Sequence, residues 1–202
     1  CDQALWLDKG RTHGEGDPKR VVTAYIIDVE KAEEQLLARE EAARVAHAAD
    51  AVAASGSEAQ PQNPVDTGEA PRDMFKSTEG RWGSREVEII AVAITAASGD
   101  AAHVFHTGDP LTVHVGFRAH EPTGDFVFGL GIFNADGLCC YGTNTNIEDL
   151  EPERLSGEGE VRFVIDRLDL VEGTYKFDVA VHKLDGYPYD YHRLLYTFRV
   201  KS

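Results

Sequence analysis

An all-β fold is predicted by this sequence: an antiparallel β-sandwich of the immunoglobulin-like or jelly-roll kind, preceded by a helical and then flexible linker. Three observations carry the prediction. From Gly80 onward, about seven short apolar runs follow one another within some 120 residues, with Gly, Asp, Asn and Pro between them. Several of these runs alternate with period two, as a half-buried strand must. No convincing helical pattern interrupts them.

The chain opens with a compact αβ-like piece, residues 1–27. Ala4-Leu5-Trp6-Leu7 reads as a short strand and Asp8-Lys9-Gly10-Arg11 as a turn. Asp17 is a natural N-cap and Pro18 a natural first helical residue, so a short helix is expected from Lys19 to Ile27. This piece is too short to bury a core alone. Residues 28–54 are rich in Ala, Glu and Arg and have high helix propensity. Their large apolar residues reduce to Leu36, Leu37 and Val45, which predicts a solvated spacer helix. Residues 55–79 carry Pro61, Pro64, Gly68 and Pro71 and little periodicity, which predicts a flexible linker and the main domain boundary. The sandwich is expected over residues 80–202.

Its strands are predicted at Glu86–Thr95, Leu111–Ala119, Phe126–Asn134, Leu138–Thr143, Glu160–Leu168, Thr174–Leu184 and Tyr191–Lys201. Phe126–Asn134 and Leu138–Thr143 form a hairpin around Asn134, Asp136 and Gly137, residue types that suit a tight reversal. On its first strand, Phe126, Phe128, Leu130 and Ile132 share the face expected to meet the core. Gly129, Gly131 and Phe133 share the other. Two glycines on one face leave the backbone bare, either for a close approach or for a bend. Leu170-x-x-Gly173-x-Tyr175 has the spacing of a tyrosine corner, in which the Tyr hydroxyl ties down a loop.

Charge and composition exclude several classes. A net charge of −15 and a pI near 4.8 argue against nucleic acid and against an anionic membrane surface. No run approaches the roughly 18 apolar residues of a spanning helix. The first residue is Cys1 rather than Met, so a fragment of a longer protein is expected. The three cysteines, two of them adjacent at 139 and 140, predict reduced thiols in a cytoplasmic protein, with one of the adjacent pair serving as a small core residue. His103-x-x-His106 is the one close histidine pair in the sandwich, and no further ligands converge on it, so no metal is expected. Neither a Gly-x-Ser-x-Gly nor a Gly-x-x-x-x-Gly-Lys-Ser/Thr motif occurs.

What remains is binding. Aromatic rings cover the apolar faces of sugar rings, and amides and carboxylates bond their hydroxyls. Tyr141 and Asn144 lie on or after the second strand of the hairpin. Tyr189 and Tyr191 fall in the cluster Asp185–Tyr191 together with Tyr187, while Asp178, His182 and Arg193 are polar strand residues on the expected outer face. These seven, Tyr141, Asn144, Asp178, His182, Tyr189, Tyr191 and Arg193, are the candidate carbohydrate-binding residues. The Gly129/Gly131/Tyr141 side of the hairpin is the leading surface. Trp82 is expected to anchor the start of the sandwich instead.

The motifs occur in a familiar order. Residues 1–27, with Cys1-Asp2-Gln3-Ala4, Leu5–Gly10 and Gly16-Asp17-Pro18 through Tyr25, resemble the end of an ABC-transporter nucleotide-binding domain. Arg81-Trp82-Gly83-Ser84-x-Glu86, Phe105-x-Thr107-Gly108-Asp109, Phe128-Gly129-x-x-Ile132, Gly142-Thr143-Asn144-Thr145 and Leu170-x-x-Gly173-x-Tyr175 together resemble the C-terminal domain of Wzt-type proteins. These are the ATP-binding subunits of ABC exporters of O-antigen and related polysaccharides. The resemblance implies non-catalytic recognition of an exported polysaccharide, at its modified non-reducing end, coupling chain completion to export. It implies a homodimer, a transmembrane permease as partner, and a cytoplasmic location at the inner membrane. No cofactor is implied for this chain, since ATP and Mg belong to the nucleotide-binding domain. A dimerisation or docking module for biosynthetic enzymes, paired through the last strand, is the alternative.

Overall fold

The computed structural model describes residues 2–54, 79–150 and 154–202; Cys1 and nearly all of the expected linker 55–79 lie outside the described residues. Two sheets carry the sandwich. The larger runs in the order β3 (Gly80–Trp82), β11 (Pro188–Lys201), β10 (Gly173–His182), β7 (Val127–Asn134) and β8 (Cys139–Asn144), with β5 (Val104–His106) pairing parallel to the end of β11. The smaller is antiparallel, β4 (Val87–Thr95), β6 (Leu111–Thr123) and β9 (Leu155–Ile165). Period-two alternation aims Phe128, Ile132, Phe177, Val179 and Phe198 from the first sheet at Ile89, Val113 and Val115 from the second, and all are fully buried. Phe177 and Phe198 stack with centroids 4.6 Å apart, and Phe117 of the small sheet meets Phe128 at 5.2 Å. The tyrosine corner forms: the Tyr175 hydroxyl donates to the Val171 carbonyl at 2.9 Å.

The seven expected strands are present with shifted ends, and β3 and β5 are additional. Each is three residues long, too short to show a period, and exists because β11 offers it an edge. β9 starts at Leu155, ahead of the expected Glu160, because Gly157 and Gly159 are strand residues and not a turn. A Cβ on Gly159 would come 2.6 Å from the Phe117 ring, so the ring needs that bare backbone. The expected core cysteine is absent: β8 is the edge strand, and Cys139 and Cys140 are both free and exposed.

The N-terminal part differs more. β1 (Ala4–Asp8) pairs with a second strand, β2 (Arg11–Gly16), through a turn in which Lys9 and Gly10 have φ of 47° and 77°. α1 then runs unbroken over 37 residues, Pro18–Ala54, across the expected boundary at residues 27 and 28. Asp17 caps it, its Oδ1 accepting from Arg20 N at 3.1 Å.

Nor is α1 a solvated spacer. β11 has one edge paired with β10 and the other only partly covered, by β3 at Tyr191–Arg193 and by β5 at Arg199–Lys201. α1 fills the gap. Arg44 donates to the Leu195 carbonyl and to Thr197 Oγ1, and the Thr197 N–H donates to Glu41. Nearby, Glu34 accepts from the His103 and Val104 N–H groups at 2.7 and 2.8 Å, and Glu30 and Glu33 pair with Lys201. The docked positions 30, 34, 37, 41, 44 and 48 follow helical spacing, but four of the six are charged. The helix therefore docks through charged side chains and not through an apolar stripe.

Candidate functional site

The outer face of the larger sheet carries a cavity of about 570 Å³. Strand register builds it. Trp82, Tyr191, Ala180, Gly129 and Asn144 are successive cross-strand partners and form one row across five strands. Bulk stands at one end, the two smallest side chains lie in the middle, and an amide closes the other end. The next row, Asp178, Gly131 and Gly142, repeats the small centre. A sheet face with large ends and a bare middle is a trough. Phe133 and Ile147 raise its sides.

The glycines can now be assigned. A Cβ added at Gly129 meets nothing closer than 3.9 Å, and at Gly142 nothing closer than 3.8 Å. Neither has a positive φ. Packing does not demand glycine at either position, so what their bareness serves is the open space above them. At Gly131 an added Cβ would press the Phe133 ring at 2.9 Å.

At the aromatic end, the Trp82 indole stacks on the Tyr191 ring, centroids 4.7 Å apart and planes 7° from parallel. The preceding residues fix this pair from the opposite face of the same strands. Arg81 donates to the buried Asp190 through Nε at 3.1 Å and Nη2 at 2.6 Å, Arg85 adds Nη1 at 2.5 Å, and Ile89 N–H donates at 2.8 Å. Burial alone would raise the pKa of Asp190, but His192 at 3.5 Å and the hydrogen-bonded Arg81 guanidinium reverse this and hold it down at about 2. β3 is thus locked to β11 through the core, and the stack outside is preorganised.

Asp178 occupies a bulge. Between Phe177 and Val179, β11 inserts two extra residues, and Leu194 takes φ of 53°. Asp178 Oδ1 accepts from the Leu194 N–H at 2.8 Å, and Oδ2 accepts from Arg193 Nη1 at 2.6 Å and from the Tyr191 hydroxyl at 3.3 Å. Burial raises the Asp178 pKa, against these bonds. Burial, with Asp178 adding to it, pushes the Tyr191 phenol up to about 12.

Of the seven expected residues, Asn144, Asp178, His182 and Tyr191 line the cavity. Arg193 sits behind the wall, paired with Asp178 and lying over the Phe133 ring at 5.0 Å. Two fall elsewhere. Tyr189 is a core residue whose hydroxyl donates to the Asp125 carbonyl at 3.0 Å. Tyr141 pairs in register with Ile132, on the core-facing side of the hairpin, so it does not share a surface with Gly129 and Gly131. Alternation assigned Gly129 and Gly131 correctly, but the step across the turn reversed Tyr141. Trp82 anchors the sandwich as expected, yet it also walls the cavity. Its partner Tyr191 is 109 positions away in sequence, so no local signal could pair them.

The fold has known counterparts. Residues 78–202 match the family model of the Wzt C-terminal domain. The chain belongs to the Wzt C-terminal domain family. Over 186 residues it is 28% identical to the O-antigen export system ATP-binding protein RfbB of Myxococcus xanthus, an alignment that covers 92% of this chain and 38% of that protein. This Wzt C-terminal domain chain thus spans 38% of the length of that curated relative. The crystal structure of the C-terminal domain of wzt superposes with a TM-score of 0.57 at 23% identity, over 61% of this chain and 78% of that one, and shares the sandwich fold.

Proposed function

We propose that this chain recognises an exported polysaccharide of the O-antigen type, and that the trough on its outer sheet face holds the chain end. The observation that carries this is the cross-strand row from Trp82 to Asn144: a stacked aromatic wall, a bare floor and an amide at the far end, which are the parts a pyranose ring needs. Membership in the Wzt C-terminal domain family and the likeness to a protein named for O-antigen export support the same reading. The finer step is recognition of the modified non-reducing end, so that export begins on finished chains. Asn144, Asp178, His182 and Tyr191 are the proposed contacts, joined by Trp82.

On this reading the chain is non-catalytic, and ATP and Mg serve a nucleotide-binding domain to which residues 1–27 belong. The exposure of Leu5 and Leu7, 56% and 59%, fits a hairpin that packs on further chain. The partners are then the polysaccharide, the transmembrane permease of an ABC exporter and a second copy of the chain, at the cytoplasmic side of the inner membrane. No described helix is long and apolar enough to cross a membrane itself. A dimer built by the free edge of β11 does not fit, because β3, α1 and β5 occupy that edge.

Calorimetric titration of the full chain with the producer's own polysaccharide tests the reading. Saturable binding that Gly129→Leu abolishes supports it, and absence of binding to the unaltered chain overturns it.

A further inference from the structure

The trough is selective in its chemistry, and the residues that line it define what it admits. This inference rests on the trough being the glycan site. No lysine or arginine is among the described residues that line it. Its one carboxylate, Asp178, faces any anionic ligand, and the nearest guanidinium, Arg193, is already committed to that carboxylate at 2.6 Å. An incoming phosphate or carboxylate would lose its hydration and find no lysine or arginine in the lining to replace it.

Hydroxyl groups fare only somewhat better. The polar lining groups are few and mostly engaged: the Asn144 Oδ1 accepts from Ile147 N–H at 2.8 Å, the Thr143 hydroxyl donates to Glu148 at 2.5 Å, and His182 Nδ1 meets the Lys183 carbonyl at 2.6 Å. The rest of the surface is the Trp82–Tyr191 stack, Phe133, Ile147, Ala180 and bare glycine backbone. A hydroxymethyl arm laid against Phe133 and Ile147 would bury a donor and an acceptor without partners, whereas a methyl group there would gain contact.

We propose that the trough selects an uncharged sugar carrying a methyl group in place of the exocyclic hydroxymethyl, a 6-deoxyhexose, and rejects its hydroxylated and anionic counterparts. The Asn144 amide NH2 donates to a ring hydroxyl on the polar side, its Oδ1 being held by Ile147, and the methyl group turns toward Phe133 and Ile147.

Saturation-transfer NMR on the full chain, with the methyl glycosides of rhamnose, fucose, mannose and galactose and with mannose 6-phosphate and galacturonate, decides this. The 6-deoxy sugars are expected to bind at least about tenfold more tightly than mannose and galactose, the scale on which an apolar pocket resolves one hydroxyl. The two anions are expected to give no signal. Gly129→Leu, at a position where an added Cβ meets nothing closer than 3.9 Å, should abolish the signal without loss of fold by circular dichroism. Equal or tighter binding of the hydroxylated or anionic sugars overturns the proposed selectivity and leaves the glycan site standing. Binding of 6-deoxy sugars undiminished by Gly129→Leu overturns it too, and with it the trough as the glycan site. No signal from any sugar, with the producer's polysaccharide still held in a Gly129-dependent manner, overturns the selectivity alone.

Discussion

Trp82 lies flat on Tyr191, two residues from opposite ends of the sandwich sequence made neighbours by the β3–β11 pairing. Half of the proposed sugar platform therefore comes from a three-residue strand. Trp82→Ala removes the outer ring while leaving Arg81 and its ion pair in place. Affinity for polysaccharide should fall by about 1–2 kcal/mol, the worth of one aromatic contact. Thermal stability should change much less, since Trp82 is 38% exposed. Calorimetry and a melting curve on the same preparation separate the two.

Beneath that platform, Asp190 is fully buried and neutralises Arg81 and Arg85. Asp190→Asn preserves shape but takes the buried carboxylate from Arg85 and leaves Arg81 with Glu88 alone, and should cost about 3–5 kcal/mol in urea denaturation. The pH dependence follows from linkage. With its folded pKa at about 2 and an unfolded value near 3.9, Asp190 contributes its full stabilisation above about pH 4. That contribution disappears as pH falls toward 2. The unaltered chain should lose stability steeply across this window, and the Asn variant should lose less there.

His103 offers the opposite sign. Its ring nitrogens face Glu34 at 2.7 Å and Glu41 at 3.4 Å, both on α1. The hydrogen bond to Glu41, followed by that to Glu34, raises its pKa against the effect of burial. The protonated ring therefore holds the helix to the sandwich fully below the ordinary histidine pKa near 6.5, and this hold is lost as pH rises through the raised value. His103→Gln should lower stability by about 1 kcal/mol at pH 5.5 and by progressively less at higher pH. Melting curves of both proteins from pH 5.5 to 9 measure the convergence.

Gly83 has φ of 137°, and a Cβ there would sit 2.3 Å from the Tyr189 carbonyl oxygen. The turn from β3 toward β4 passes this close because Ser84 and Arg85 N–H donate to the Pro188 and Tyr189 carbonyls. Gly83→Ala should destabilise by more than about 2 kcal/mol, combining backbone strain with displacement of β3. Polysaccharide affinity should fall with it, because Trp82 moves too. Tyr175→Phe gives the contrast, since it removes one hydrogen bond from a loop far from the trough. It should cost about 1 kcal/mol of stability with affinity unchanged.

Much of the sandwich was legible because its strands obey the simplest rule of sheet chemistry. The Phe128-Gly129-Leu130-Gly131-Ile132 run declares both faces at once, and Leu170-x-x-Gly173-x-Tyr175 declares a loop tie that forms as expected. Where position depends on distant partners, the sequence is silent. β3 and β5 have no pattern of their own. Tyr189 and Tyr191 look equivalent two residues apart, yet the register shift in β10–β11 pairing near Val181/His182 sends one to the core and the other to the trough. α1 departs from the expected solvated spacer for a chemical reason: its few large apolar residues do not carry the docking, and Glu34, Glu41 and Arg44 serve as substitute strand partners for backbone groups of β11 and the His103–Val104 segment.

That substitution has a mechanical side. At about 1.5 Å per residue, the 37 residues of α1 make an unbroken rod of roughly 55 Å. One end is capped at Asp17 beside the β1–β2 hairpin, and farther along Glu34 ties the rod to the His103–Val104 segment while Glu41 and Arg44 tie it to β11. A tilt imposed at the hairpin is then not absorbed by slack. It arrives as torque on the very strand that carries Tyr191.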